Sequence, residues 1–347
     1  MRYPKSLKKN GTIGFVAPSF GCNIEPYKSA FNNGLKKFRE MGYQTMLGPN
    51  CYEGCGMGIS NTPEKCAAEL MEYYMGQETD CLISCGGGEL MCETISHVDF
   101  EKIKVAEPKW YMGYSDNTNM TYLLATVCDT AAVYAPCAAA FGMEPWHPAI
   151  KDAFGILTGE VRIVKGYDKW EAESLKSEEN PLAPYNPTRE RVIKSYVGMQ
   201  EMQSNAELIF SGRLLGGCMD CLVNLTGTRF DKTKDFIKKY KEDGIIWFLE
   251  ACDLNVLSIR RAMWQMEEAG WFDHVKGFLI GRPLHFDESI MGLDRFGAVL
   301  EVAARKNVPV IFDVDLGHLP PMMPLIVGSL ATVDVKGNDI SIHMEDK

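Results

Sequence analysis

The sequence predicts an α/β protein of two domains: an N-terminal, doubly wound, mainly parallel sheet domain and a C-terminal α/β, barrel-like domain. Three observations lead there. Short apolar runs alternate with amphipathic helical patterns through about residue 155. That rhythm breaks over about 158–205 and resumes from about 206. The 347 residues are enough for two separate hydrophobic cores. The expected boundaries are 1–157 for the first domain, 158–205 for a linker or substrate-covering loop, and 206–347 for the second domain.

In the first domain, residues 12–17 read as a strand. Residues 30–41 read as a helix, with Phe31, Leu35 and Phe38 at helical spacing. Residues 43–47, 81–85 and 110–112 are further strands, and 63–75 is helical. The Gly86-Gly87-Gly88 run follows a strand but lacks both the Gly-x-Gly-x-x-Gly spacing and a following Lys-Ser/Thr. It reads as a loop whose backbone N–H groups approach a substrate carbonyl.

Residues 158–205 are polar and punctuated by Pro181, Pro184 and Pro187. Trp170 and Tyr185 within them either pack on a bound ligand or pin the segment to the body. Beyond it, 208–210, 245–249, 277–280, 308–312 and 332–335 read as strands, and 218–225, 256–268 and 291–306 as helices. Residues 334–342 read as a hairpin turning at Lys-Gly-Asn-Asp.

The chemistry concentrates in three segments. In Met112-Gly113-Tyr114-Ser115-Asp116-Asn117 a serine stands between a strand and a helical stretch, with glycine two positions before it. A tight strand-to-helix turn presents a hydroxyl in this way, and the helix N-terminus offers N–H groups to an oxyanion. Asn117 stands where the nucleophile-elbow pattern has a second glycine, and the alternative for Ser115 is a helix cap. A serine nucleophile needs a base, and the base an acid to hold its tautomer. Of the six histidines, His318 follows Asp313-Val314-Asp315-Leu316-Gly317 at a strand's carboxyl end; the other five lie in polar or amphipathic contexts. An apolar strand also ends in Glu250, which reads equally as a helix cap.

Gly113-Tyr114-Ser115-Asp116, Gly212-Arg213-Leu214-Leu215-Gly216-Gly217, Phe248-Leu249-Glu250 and Asp313-Val314-Asp315-Leu316-Gly317-His318 occur in this order. Together with residues 11–19 and 84–89, they resemble the serine-type LD-carboxypeptidase family, which includes the microcin C immunity peptidases. The resemblance runs from about residue 11 to about 334. It implies Ser115 as nucleophile, His318 as base and Glu250 as its orienting acid. The backbone N–H groups of Asp116 and Gly87 would form the oxyanion hole, and the site would lie in the cleft between the domains.

A carboxypeptidase also needs a cation for the substrate carboxylate, for which Arg213 and Arg282 are the candidates. Trp170 is the candidate for stacking on a nucleobase. Relatives usually carry asparagine after the Gly-Gly of the Gly-Arg-Leu motif, where this chain has Cys218. The run after Glu250 reads like the microcin-immunity branch, which implies hydrolysis of peptidyl- or aminoacyl-nucleotide amides. The alternatives are a murein LD-carboxypeptidase and, from another class, a non-catalytic ligand-binding protein on the same fold. The expected partner is a small peptide or peptidyl-nucleotide, and the expected assembly a homodimer.

Bulk properties set the remaining expectations. A net charge of −10 without a basic stripe argues against a nucleic-acid polymer. No apolar run reaches the roughly 18 residues of a membrane span, and the basic start lacks an apolar signal core. The expectation is a cytoplasmic protein with no membrane partner. The twelve cysteines lack zinc-ribbon spacing, so no metal and no cofactor is expected, with free thiols in a reducing compartment.

Overall fold

The computed structural model describes residues 1–346. The chain forms two compact units: Met1–Val161 with Glu173–Asn186, and Arg162–Ala172 with the chain from Pro187 onward. The expected 158–205 loop is therefore corrected: it is divided between the units, and short strands run through it. Its few apolar side chains give no period-2 signal, because these strands are only two to four residues long.

The first unit runs β1 (Thr12–Val16), α1 (Tyr27–Glu40), β2 (Gln44–Leu47), α2 (Pro63–Met75), β3 (Cys81–Ser84), α3 (Met91–Thr94) and α4 (Phe100–Val105). It continues with β4 (Trp110–Gly113), α5 (Thr118–Thr126), β5 (Ala132–Tyr134) and α6 (Pro148–Thr158). Strands β3, β4 and β5 are buried along their whole length, as expected of a parallel sheet covered on both faces. Within this unit the strands lie in the order β5-β4-β3-β1-β2, all parallel.

Helix α1 buries Ala30, Phe31, Leu35 and Phe38, and Phe31 and Phe38 meet Phe15 of β1 at 5.3 and 5.8 Å. Each such ring contributes about 1.5–3 kcal/mol by leaving water. Because β2 leaves β1 on one side and β3 on the other, the sheet has a switch point between β1 and β3. The carboxyl ends of strands at a switch point are where open α/β sheets bind ligands.

The second unit runs β6 (Ile163–Lys165), β7 (Lys169–Trp170), β8 (Arg189–Glu190), β9 (Lys194–Val197), β10 (Gln200–Glu201), β11 (Glu207–Cys218), α7 (Met219–Leu225) and α8 (Thr233–Lys239). It continues with β12 (Ile245–Glu250), α9 (Val256–Glu268), β13 (Val275–Gly281), α10 (Arg295–Ala303), β14 (Pro309–Val314), β15 (Leu325–Val327), β16 (Leu330–Lys336) and β17 (Asp339–Glu345). Its large sheet has the order β10-β9-β14-β13-β12-β11-β16-β17-β6. The central four, β14 to β11, are parallel, and antiparallel strands flank them.

Trp247 of β12 stacks on Trp271 at 5.7 Å, and Phe272 packs on Phe278 at 5.0 Å, in the core of this unit. Strand β11 is far longer than the expected 208–210. Its glycines look like breakers in sequence, but a Cβ at Gly216 would lie 1.8 Å from the Phe248 carbonyl oxygen. Glycine there lets β11 lie directly against β12. Among the described residues no helix is long and apolar enough to cross a membrane.

Candidate active site

In the first unit, Ser115 follows β4 at the carboxyl edge of the parallel sheet. Its φ is +61°, the left-handed region that a residue with a Cβ seldom adopts. Such a conformation costs of order 1–3 kcal/mol and persists only where its surroundings impose it. Here they do. The Ser115 N–H donates to the Tyr134 hydroxyl at 3.2 Å. The adjacent Asp116 carboxylate is buried and accepts from the Ser19 hydroxyl at 2.5 Å, the Met91 N–H at 2.8 Å and the Asn119 amide at 2.9 Å. Asp116 thus fastens the loop after β1, the start of α3 and the first turn of α5 to the serine turn.

The Gly86-Gly87-Gly88 loop follows β3 and approaches the serine from the neighbouring strand. A Cβ at Gly87 would lie 3.1 Å from Ser115 Oγ and 3.9 Å from the Asp116 backbone nitrogen. Gly87 and the Asp116 N–H are therefore neighbours at the serine hydroxyl, and any side chain at position 87 would crowd it.

In the second unit, the carboxyl ends of the four parallel strands gather the remaining chemistry. Cys218 of β11 is in register with Glu250 of β12. The Glu250 side chain is fully buried, and its Oε2 lies 2.9 Å from Nδ1 of His318. In the neutral imidazole, with Nδ1 donating to the carboxylate, Nε2 carries the lone pair. Burial pulls the imidazole's pKa down, but the Glu250 charge and hydrogen bonds with Cys252 and Glu250 outweigh it, holding the pKa well above 6.5. Two glycines make room for the acid. A Cβ at Gly317 would fall 2.7 Å from Glu250 Oε2, and one at Gly281 would fall 3.0 Å from Glu250 Cβ.

The loop after Glu250 is held by Asp220, a residue the sequence reading missed. Its carboxylate accepts the N–H groups of Cys252, Asp253 and Leu254 at 3.0, 2.9 and 3.1 Å. Its signal in the sequence was an acid in the first turn of α7, directly after the Gly-Gly motif. Cys218 donates its thiol to the same carboxylate at 3.3 Å. A hydrogen bond with Cys221, burial and the nearby acids hold the Cys218 thiol protonated.

Three expected ligand contacts are corrected. Arg213 is in register with Ile245, at the opposite end of β12 from Glu250 and roughly 16 Å along the strand. Its Nε pairs with Asp243 at 2.7 Å, and its Nη1 donates to the Gly328 carbonyl at 2.9 Å. Arg282 is at the correct end but only 2% exposed. It donates to Asp315 at 2.6 Å and to the Asp313 carbonyl at 2.7 Å, so its charge is matched within the fold and braces the segment leading to His318. Trp170 is buried at 7% exposure. Its indole N–H donates to Glu190, Phe286 packs on it at 5.0 Å, and the Arg282 guanidinium lies 5.1 Å from its ring centre. Tyr185, in the first unit, packs on His147 at 5.4 Å. Among the described residues no group of three or more His, Cys, Asp or Glu side chains is arranged to hold a metal ion.

Residues 13–135, which carry the serine turn, match the family model for the LD-carboxypeptidase N-terminal domain. Residues 211–333, which carry the Glu250–His318 pair, match that for the LD-carboxypeptidase C-terminal domain. A putative carboxypeptidase of Vibrio cholerae is 24% identical over 362 residues, spanning 100% of this chain and 98% of its own. A probable murein peptide carboxypeptidase of Bacillus subtilis is 22% identical, spanning 95% and 91%. The solved structure of MccF in complex with glutamyl sulfamoyl guanosine shares the fold, with a TM-score of 0.79, 22% identity and coverage of 99% of this chain and 98% of that one. With a strand-to-helix serine turn in one matched segment and a carboxylate–histidine pair in the other, the chain belongs to the LD-carboxypeptidase family.

Proposed function

We propose that the protein is a serine carboxypeptidase in which Ser115, His318 and Glu250 act as one triad. The observation that carries this reading is the left-handed Ser115 turn with Gly87 cleared of any side chain at its hydroxyl. His318 takes the Ser115 proton as Oγ attacks the substrate carbonyl, and Glu250 stabilises the imidazolium that forms. The backbone N–H groups of Asp116 and Gly87 receive the oxyanion. The imidazolium then protonates the departing amine, leaving an acyl ester on Ser115. Water, deprotonated by the same imidazole, hydrolyses that ester to the free acid.

The substrate we favour is the amide joining an aminoacyl or peptidyl group to a nucleotide-like moiety. MccF, which shares this fold over nearly its whole length, has been solved with glutamyl sulfamoyl guanosine. A second reading, removal of the terminal D-alanine from a muropeptide, draws support from the Bacillus subtilis relative. The proposal carries with it a cytoplasmic homodimer.

Labelling with a fluorophosphonate and mapping of the labelled residue tests the nucleophile. Parallel assays with glutamyl sulfamoyl guanosine and an L,D-tetrapeptide test the substrate. Turnover of the tetrapeptide alone would reverse the order of the two readings, and absence of label on Ser115 would remove the triad.

A further inference from the structure

Asn117 occupies the position where the nucleophile-elbow pattern has its second glycine, and none of the triad roles uses it. It is fully buried. Its side-chain Nδ2 donates to the Gly86 carbonyl at 2.8 Å and to the Tyr114 carbonyl at 3.1 Å. Its Oδ1 accepts from the Tyr111 hydroxyl at 2.5 Å. Gly113 leaves space for it, since a Cβ there would lie 2.7 Å from Asn117 Cγ. One amide thus ties β4, the serine turn and the glycine loop together.

The tie to Gly86 fixes a direction. In a trans peptide the carbonyl and the N–H point to opposite sides. Holding the Gly86 oxygen on Asn117 therefore turns the Gly87 N–H away from Asn117. The Ser84 hydroxyl also donates to the Gly86 oxygen, at 3.0 Å, and the Phe20 N–H holds the next carbonyl, that of Gly87, at 2.9 Å. Both peptides flanking Gly87 are pinned through their oxygens. The Gly87 N–H itself meets no acceptor among the described residues. Glycine's freedom at this loop makes such pinning necessary, because a peptide between two glycines flips at little steric cost.

We propose that Asn117 is a positioning residue that holds the Gly86–Gly87 peptide with its N–H directed to the oxyanion of the transition state. This rests on the reading of Ser115 as the nucleophile. Asparagine suits the task because one side chain must donate to the two carbonyls and accept from Tyr111 at once. A glycine at 117 would leave the Gly86 oxygen to the Ser84 hydroxyl alone, and an aspartate would face two carbonyl oxygens with a negative charge.

The test is Asn117→Asp, nearly isosteric, with Asn117→Ala as the second variant should the buried charge prevent folding. Circular dichroism and the melting curve establish that the variant is folded. Whichever of glutamyl sulfamoyl guanosine and the L,D-tetrapeptide the wild type turns over is the substrate. The expected result is a fall in kcat of about a hundredfold to a thousandfold, as for loss of one oxyanion donor, with KM within about threefold. Affinity for a peptide boronate, whose serine adduct carries the tetrahedral charge, should fall by the same factor. A folded variant with kcat within about threefold of wild type overturns the proposal, as does a loss confined to KM or one that spares boronate affinity. Failure of the underlying reading shows separately, as wild-type protein that a fluorophosphonate does not label at Ser115.

Discussion

Glu250 Oε2 lies 2.9 Å from His318 Nδ1, with the carboxylate fully buried and the imidazole 15% exposed. This arrangement favours the charged imidazole. A general base must be neutral, so kcat/KM is expected to rise with pH through a single ionisation above histidine's ordinary 6.5. Glu250→Gln removes the raising charge and leaves burial, which lowers the pKa. The inflection should then move to lower pH while the plateau rate falls. A pH–rate profile of both proteins checks this, and an inflection that stays in place would show that His318 is not the titrating base.

Ser115→Ala should reduce turnover by at least about a thousandfold, the scale on which loss of a triad member acts. The substitution removes one hydroxyl and opens no large cavity. It keeps the positive φ, so the melting temperature should stay close to that of wild type. Residual activity within about tenfold of wild type would exclude Ser115 as nucleophile.

Gly87→Ala separates crowding from folding. Gly87 is not among the residues with positive φ, so the backbone accepts alanine there. The added methyl would meet Ser115 Cβ at 3.0 Å and Oγ at 3.1 Å. Stability should change by less than about 1 kcal/mol, because the site is a half-buried loop with no buried apolar contact to lose. Activity should fall by about a hundredfold, because the methyl occupies the ground where the carbonyl must sit. Steady-state kinetics beside a denaturant titration distinguishes the two effects.

The alternation of buried strands and amphipathic helices made the architecture legible, because a parallel sheet writes itself as short continuous apolar runs. Helix α2 and helix α9 keep their expected ends, each marked by a capping pattern: Pro63 after the extended Thr62, and Asn255 whose side chain accepts the Ser258 N–H. Strand β11 was largely hidden, since what makes Gly216 part of a strand is the Phe248 oxygen beside it, a long-range contact. For the same reason the pattern flagged Glu250 and His318 by placement alone, and their 2.9 Å contact required the fold. Arg213 and Arg282 show where type and motif mislead. Both are arginines beside motif residues, but one is in register with the far end of β12 and the other is neutralised by Asp315. Asn117 was noticed only as a departure from a pattern, because its partners Gly86 and Tyr111 lie on other strands or loops.

Glu69 predicts a pH-dependent stability unrelated to the triad. It is buried, and its carboxylate accepts the Ala17 and Asn50 N–H groups, each at 2.6 Å. Burial outweighs those bonds and pushes its pKa up from 4.5 to about 7. A carboxyl whose folded pKa is raised binds its proton more tightly in the folded state. Its contribution is therefore full below pH 4.5 and is lost as pH rises from there through about 7. The loss amounts to about 3 kcal/mol over that window and is level above it. Urea titrations across the window should show that slope, and Glu69→Gln should flatten it. Equal slopes in both proteins would show that Glu69 titrates normally.

Trp170 decides between a wall for the ligand and a part of the core. With its N–H on the Glu190 carbonyl, Phe286 against its edge and Arg282 over its ring, the indole is packed within the second unit. Trp170→Ala should therefore cost about 3–5 kcal/mol of stability, as for other large-to-small changes at buried aromatic sites. It should also release Arg282, whose guanidinium braces the segment carrying His318, so that kcat falls along with stability. Trp170→Phe keeps an aromatic ring against Phe286 and loses the bond to Glu190, which is worth about 1 kcal/mol. It should recover most of both properties. The measurement is thermal unfolding of the two variants beside their kinetics on one substrate. A Trp170→Ala protein as stable as wild type but with KM raised about tenfold or more would return the indole to a base-stacking role.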